Sequence, residues 1–164
     1  DSVLSRGLGD VYKRQNKLTG EWGQNPIPGP MDEYEKSVKR HCGRVGAVEV
    51  FLSGPGLENY YEHITKTKIS SRDIVSLYRE NDLVAGEVMD VYFERIARSF
   101  STFVNILDPD VIVCGGGMSE IDEIYDEVPN RIIPYIASNF FLTPIVKATH
   151  GSSSGVRGAA HLWN

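Results

Sequence analysis

Asp108-Pro109-Asp110-Val111-Ile112-Val113-Cys114-Gly115-Gly116-Gly117-Met118 is the stretch whose reading decides the fold. Between a proline turn and a glycine cluster stand four apolar residues, Val111 to Cys114, three of them β-branched. Such a run predicts a short strand buried on both faces. Three residues without a Cβ follow. They can take positive φ and let a ligand rest on the backbone just beyond the strand's carboxyl end, where open α/β sheets hold their ligands. The same glycines also suit a tight strand-to-helix turn that only packs, and the residues alone leave both uses open.

Toward the carboxyl end, Ile121 to Ile136 predicts an amphipathic helix interrupted near Pro129 and Pro134. Pro144 to Ala148 is a short apolar strand, and His150 to Gly155 turns into a last helix, Val156 to Trp163, whose small residues permit close packing. Toward the amino end lies the longest element. Val84, Val88, Tyr92, Ile96, Phe100, Phe103 and Leu107 recur every three or four residues, one apolar stripe on a helix of about 36 Å. Glu94, Arg95 and Arg98 fall off that stripe. Before it, Leu57 to Ile64 predicts a short helix, and Ser70-Ser71-Arg72-Asp73 caps another that carries Ile74, Val75, Leu77 and Tyr78. Helix, strand, helix, strand, helix is an α/β layer, with right-handed crossovers expected where its strands run parallel.

Asn16 to Pro30 holds three prolines and three glycines and predicts a shaped loop. Glu21 and Gln24 stand close together in it, placed either to face one small ligand or simply to face solvent. Met31 to Val38 predicts a charged surface helix. The basic loop Lys39 to Gly46 contains His41 and Cys42, adjacent and without the spaced partners that structural zinc requires. Ala47 to Leu52 predicts a helix with Glu49 among apolar neighbours, where a carboxylate is costly unless partnered or functional; a place on the helix's polar face is the alternative. Asp1 to Gln15 has no sustained period, resembles a translated cloning or sequencing-adapter remnant, and is set apart as non-native or disordered.

At 164 residues the chain is long enough for one domain with a core and too short for two. The net charge of -5 argues against nucleic-acid binding. No apolar run approaches the roughly 18 residues of a membrane span, and the amino terminus lacks a signal peptide's apolar core, so a cytoplasmic protein is predicted. Cys42 and Cys114 are expected to be free thiols. A dinucleotide fingerprint fails, because Glu120 occupies the third glycine position after Gly115 and Gly117, and Tyr135 stands where the acidic residue belongs. No glycine precedes Lys-Ser or Lys-Thr, which removes the P-loop. A backbone shelf for adenine or ribose, with phosphates held elsewhere, remains.

From Asn16 to Asn164 the chain resembles the carboxy-terminal part of a sugar kinase of the ROK (repressor, open reading frame, kinase) family, in the actin-like ATPase superfamily. The residues that carry the resemblance are Gly20-Glu21-Trp22-Gly23-Gln24-Asn25-Pro26, Cys42-Gly43-Arg44-Val45-Gly46-Ala47-Val48-Glu49, Leu52-Ser53-Gly54, Asn105 to Asp110, Gly115 to Met118 and Ser154 to Ala160. The GEWG-NP start and the SSGVRGAA-LW end look most like the bacterial fructokinase branch. The resemblance implies an α/β, ribonuclease H-like carboxy-terminal domain, incomplete, with a sugar-binding region at 16–56 and a nucleotide-binding part at 57–164. It implies that Glu21, Gln24 and Glu49 bind sugar hydroxyls and that Gly115, Gly116, Gly117 and Met118 hold the adenosine of ATP. Carboxylates suit the first task through charge-assisted bonds. ATP with Mg²⁺, a hexose substrate and a homodimer are implied; nucleic-acid and membrane partners are not.

Two departures matter. The family's zinc ligands, the His of G-E-x-G-H and three cysteines, align with Gln24, Arg40, Cys42 and Ala47, so no metal site is expected. The family's D-x-G-G-T phosphate loop does not occur in the sequence, and its one Asn-Asp pair, Asn81-Asp82, stands between two predicted helices well after the sugar-binding loop and not before it as the family's catalytic N-D-x-x does, so the chain by itself is expected to be an inactive fragment of an ATP-dependent hexose kinase. Fructose is the expected hexose, with glucose or N-acetylglucosamine as the alternative. A sugar-sensing ROK repressor is the second reading, which an upstream helix-turn-helix would mark. A bare α/β binding module is the third.

Overall fold

The computed structural model describes residues 20–40 and 43–161. Along them run α1 (Glu33–Ser37), α2 (Val48–Leu52), α3 (Gly54–Thr65), α4 (Ser71–Arg79), α5 (Leu83–Leu107), β1 (Ile112–Cys114), α6 (Glu123–Arg131), β2 (Ile145–Lys147) and α7 (Ser154–Ala160). The stretch 1–15, His41, Cys42 and the predicted helix end at Trp163 lie outside the described residues.

The β1–α6–β2 unit pairs its strands in parallel, Ile112 opposite Ile145, Val113 opposite Val146 and Cys114 opposite Lys147. The predicted burial of β1 on both faces is corrected. Helices cover the face bearing Ile112 and Ile145, which are buried, whereas Val113 is 59% exposed and Val111 and Val146 are also open to solvent.

The helix α5 packs against α2, α3, α4 and α6 and so forms the spine of the core. Asp82 caps it by accepting from the backbone N–H of Ala85 at 2.8 Å, and the chain leaves it at Asp108 with φ 42°, just before Pro109. Val88, Tyr92 and Ile96 of the predicted stripe are buried, but so are Met89, Phe93 and Ala97 beside them. The stripe's two ends, Val84 and Leu107, are exposed.

Helix α3 starts at Gly54, three residues before the predicted start. Ser53 accepts from the N–H of Gly56 at 3.2 Å, and Pro55 sits in the first turn, where its missing N–H is harmless. Gly56 lets this turn press against α2: a Cβ there would stand 2.3 Å from the carbonyl oxygen of Val50 and 2.9 Å from that of Phe51. Backbone cannot yield as a side-chain tip can. Gly56→Ala is therefore expected to destabilise the fold by about 2–3 kcal/mol, the upper part of the range for overpacking. A urea melt checks it, through a lowered midpoint at unchanged slope.

Two predicted surface charges are buried instead. Glu35, in the segment expected to be a charged surface helix, is 1% exposed, and Arg95, off the stripe of α5, is 2% exposed. Arg95 Nε donates to Glu35 Oε1 at 2.9 Å and Arg98 Nη1 to the same oxygen at 3.2 Å. Arg98 also donates to the carbonyl of Pro28 from Nε at 2.8 Å and from Nη2 at 2.6 Å. The Arg95 guanidinium lies 4.2 Å from the centre of the Tyr60 ring, with Phe51 and Tyr34 at 5.1 and 5.4 Å. This cluster fastens α1 and the proline-rich loop to α5, and that loop continues into the site.

Candidate functional site

The first corner of the site is built on a short turn, Trp22–Gln24. The Trp22 indole N–H donates to Thr102 Oγ1 at 3.0 Å, and its ring meets Phe103 edge-on at 5.3 Å, so α5 fixes the turn from below. Backbone bonds from Val48 N to Asn25 O (2.9 Å) and from Ile27 N to Gly46 O (2.7 Å) lace the loop to the start of α2. Gly23 makes that approach feasible, since a Cβ there would lie 3.2 Å from Glu49 Cβ.

The three predicted sugar-binding residues are thereby brought together. Gln24 Nε2 donates to Glu49 Oε2 at 3.1 Å and reaches Glu21 Oε2 at 3.5 Å. A fourth side chain joins them. Arg40 donates from Nη1 to Gln24 Oε1 and from Nε to Glu49 Oε1. Glu49 remains 34% exposed at its side chain and Arg40 16%, so the group is shielded from below and open above. Each carboxylate oxygen keeps lone pairs for an incoming hydroxyl after these bonds are made. Sequence reasoning placed Arg40 only at a lost zinc-ligand position; the signal for its role was a cation standing where a metal ligand was expected, nine residues before Glu49.

The glycine stretch forms the second corner. Gly116 has φ 88° and ψ -178°, a conformation essentially confined to glycine. A Cβ on Gly116 or Gly117 would meet no heavy atom within 4 Å, and one on Gly115 only the Ala148 methyl at 3.8 Å. The ledge is open. Its outer end, Gly117 and Met118, lines a cleft of about 610 Å³ whose other walls include Ser53, Gly54, Arg72 and Arg79. These four were not foreseen as site residues. Arg79 is held by a two-pronged bond to Glu123 at 2.7 and 2.9 Å, and this bond holds the Glu123 carboxyl below its usual range. Gly115 faces a smaller hollow of about 320 Å³ shared with Trp22, Leu52, Tyr92 and Phe100. There burial pushes the Cys114 thiol up.

Helix α2 joins the corners. Glu49 lies in its first turn, and its last residue runs into Ser53 and Gly54 at the cleft. Five residues of helix span about 7 Å. Glu49 and the cleft edge at Ser53 and Gly54, which share that cleft with Gly117 and Met118, thus stand at the two ends of one short helix. Among the described residues no group of three or more His, Cys, Asp or Glu side chains is arranged around a metal position.

A family model described as the ROK family matches residues 8–164. The N-acetyl-D-glucosamine kinase of Vibrio atlanticus is 36% identical over 158 residues, covering 94% of this chain and 52% of that protein. Among solved structures, a ROK family glucokinase from Streptomyces griseus in complex with glucose and AMPPNP superposes with a TM-score of 0.74 at 19% identity, over 89% of this chain and 51% of the other. The ROK hexokinase from Thermus thermophilus gives 0.71 at 21% identity, over 86% and 46%. The chain spans about half the length of the curated relatives it matches. These structural neighbours share the actin-like ATPase fold, and the partial α/β unit described above is one portion of it. On the match that runs from residue 8 to the last residue, this chain belongs to the ROK family.

Proposed function

We propose that this chain is the sugar- and adenosine-holding part of an ATP-dependent kinase that phosphorylates N-acetylglucosamine. The observation that carries the proposal is the meeting of Glu21, Gln24 and Glu49 at one corner, joined through α2 to an open glycine ledge. In this reading the region 16–56 orients the sugar through charge-assisted bonds from its hydroxyls to Glu21 and Glu49. The part 57–164 seats adenosine along Gly115, Gly116, Gly117 and Met118, with the arginines of the cleft beside it. ATP would bring a divalent cation on its phosphates, and that ion supplies charge neutralisation at the transferring group. No step of proton transfer is assigned to these residues: their one Asn-Asp pair, Asn81-Asp82, caps α5, with Asp82 accepting from the N–H of Ala85 at 2.8 Å.

The motif ends favoured fructose. The relatives do not: those with about 36% identity are named N-acetyl-D-glucosamine kinases, which supports the alternative, and the Streptomyces neighbour holds glucose. Calorimetric titration of the chain with N-acetylglucosamine, glucose and fructose, each with and without a non-hydrolysable ATP analogue, tests the assignment. N-acetylglucosamine is expected to bind at least about tenfold tighter than fructose, a difference of about 1.4 kcal/mol. Equal or tighter binding of fructose would remove the substrate assignment. Silence towards every sugar and the analogue would remove the function.

A further inference from the structure

The residues at the family's zinc positions do not fit zinc. Gln24 offers an amide, Arg40 a permanent cation and Ala47 a buried methyl, and only Cys42, outside the described residues, keeps a ligand's chemistry. A guanidinium beside the position would also repel Zn²⁺. We propose that Arg40 replaces the metal as the positioning residue of the sugar corner, its planar fork fixing Gln24 and Glu49 in the orientation that meets the sugar.

The geometry is a closed ring. Arg40 Nη1 donates to Gln24 Oε1, Gln24 Nε2 donates to Glu49 Oε2 at 3.1 Å, and Glu49 Oε1 accepts from Arg40 Nε. Each member fixes the next. With its oxygen held by the guanidinium, the Gln24 amide must turn its NH₂ toward Glu49 and Glu21, and the reversed amide would press donors against donors. The guanidinium also balances the Glu49 carboxylate at a side chain only one-third exposed, which limits self-repulsion between Glu49 and Glu21. Arg40 is itself anchored through its backbone. Its N–H donates to Arg44 O and its carbonyl accepts from Gly43 N, both at 2.8 Å, across a turn that needs Gly43 at φ 82°. A lysine could supply the charge but not the fork, because an ammonium is a point donor that cannot hold two differently placed oxygens in one plane.

The inference rests on the proposed sugar site, so the test separates the two. Arg40→Ala and Arg40→Lys are each expected to weaken N-acetylglucosamine binding by about tenfold to a hundredfold, the usual loss when a residue that orients a binding group is removed. Affinity for the ATP analogue, measured on the same samples, should stay within about threefold. Side-chain NMR reads the ring with no sugar present: in the unsubstituted chain the Arg40 Nε–H and the Gln24 amide should exchange slowly, and the Gln24 amide should lose that protection in Arg40→Ala. Zinc analysis of the purified chain should find only traces. A protected ring in a chain that binds no sugar would count against the proposed function alone. A freely exchanging Arg40 Nε–H, unchanged sugar affinity in Arg40→Ala, or one zinc per chain would overturn the inference.

Discussion

Glu35→Ala is expected to lower the stability of the chain by about 3–5 kcal/mol, the penalty for removing one partner of a buried ion pair. Such a loss is a large share of the roughly 5–15 kcal/mol that holds a domain folded. Glu35 accepts from Arg95 at 2.9 Å and from Arg98 at 3.2 Å, and its other oxygen faces the N–H of Asp32 at 3.4 Å to close a capping box on α1. Alanine would leave the Arg95 side chain, 3% exposed, with Asp32 at 3.4 Å as its nearest anion and three aromatic faces around it. The rings soften that loss by about 0.5–2 kcal/mol but cannot replace hydrogen bonds to an oxygen. Urea denaturation of the single variants and of Glu35→Leu with Arg95→Met gives the check. The double variant is expected to be less destabilised than the two singles added together, because it removes both charges at once. A Glu35→Ala chain within about 1 kcal/mol of the parent would show that water, not the pair, satisfies these groups.

The same cluster shows what a linear reading can and cannot recover. The stripe of α5 was legible because Val88, Tyr92 and Ile96 repeat at the helical period, and the cap at Ser70 because a short polar side chain stands just before an apolar run. Burial of Glu35 was not legible. Its partner is 60 residues away, and each charge, seen among its own neighbours, looks like the solvated face of a helix. Exposure of Val113 escaped for the converse reason. An apolar β-branched run states what a strand could bury but not whether anything lies on its second face. Glu49 attracted attention as a carboxylate in an apolar segment, yet the deeper one was Glu35, which local composition hides. At the proposed sugar corner Glu21, Gln24 and Glu49 were singled out from motif positions, whereas the convergence of Gln24 and Glu49 on Arg40 needed the fold. Gln24 and Glu49 are 25 residues apart and meet because backbone bonds lace the loop to the start of α2, an approach that Gly23 eases.

Gly116→Val is expected to weaken binding of an ATP analogue by at least about a hundredfold, about 2.7 kcal/mol, while N-acetylglucosamine affinity changes by no more than about threefold. Two effects add. At φ 88° and ψ -178° a β-branched residue is strained by about 1–3 kcal/mol, so the turn after β1 must shift away from the ledge geometry. The new side chain would also occupy the open space above the backbone, where a Cβ meets no heavy atom within 4 Å. Gly117→Ala separates these effects. Gly117 does not need positive φ and its Cβ direction is equally empty, so alanine there introduces bulk without strain. If adenosine lies on the ledge, Gly117→Ala should cost the analogue about tenfold with the melting temperature unchanged, and Gly116→Val should cost more with a lower melting temperature. The sugar corner is insulated because its contacts run through Trp22, α5 and α2, none of which is bonded to Gly116. Undiminished analogue binding in both variants would show that the three glycines only turn the chain, and the nucleotide assignment would lose its support.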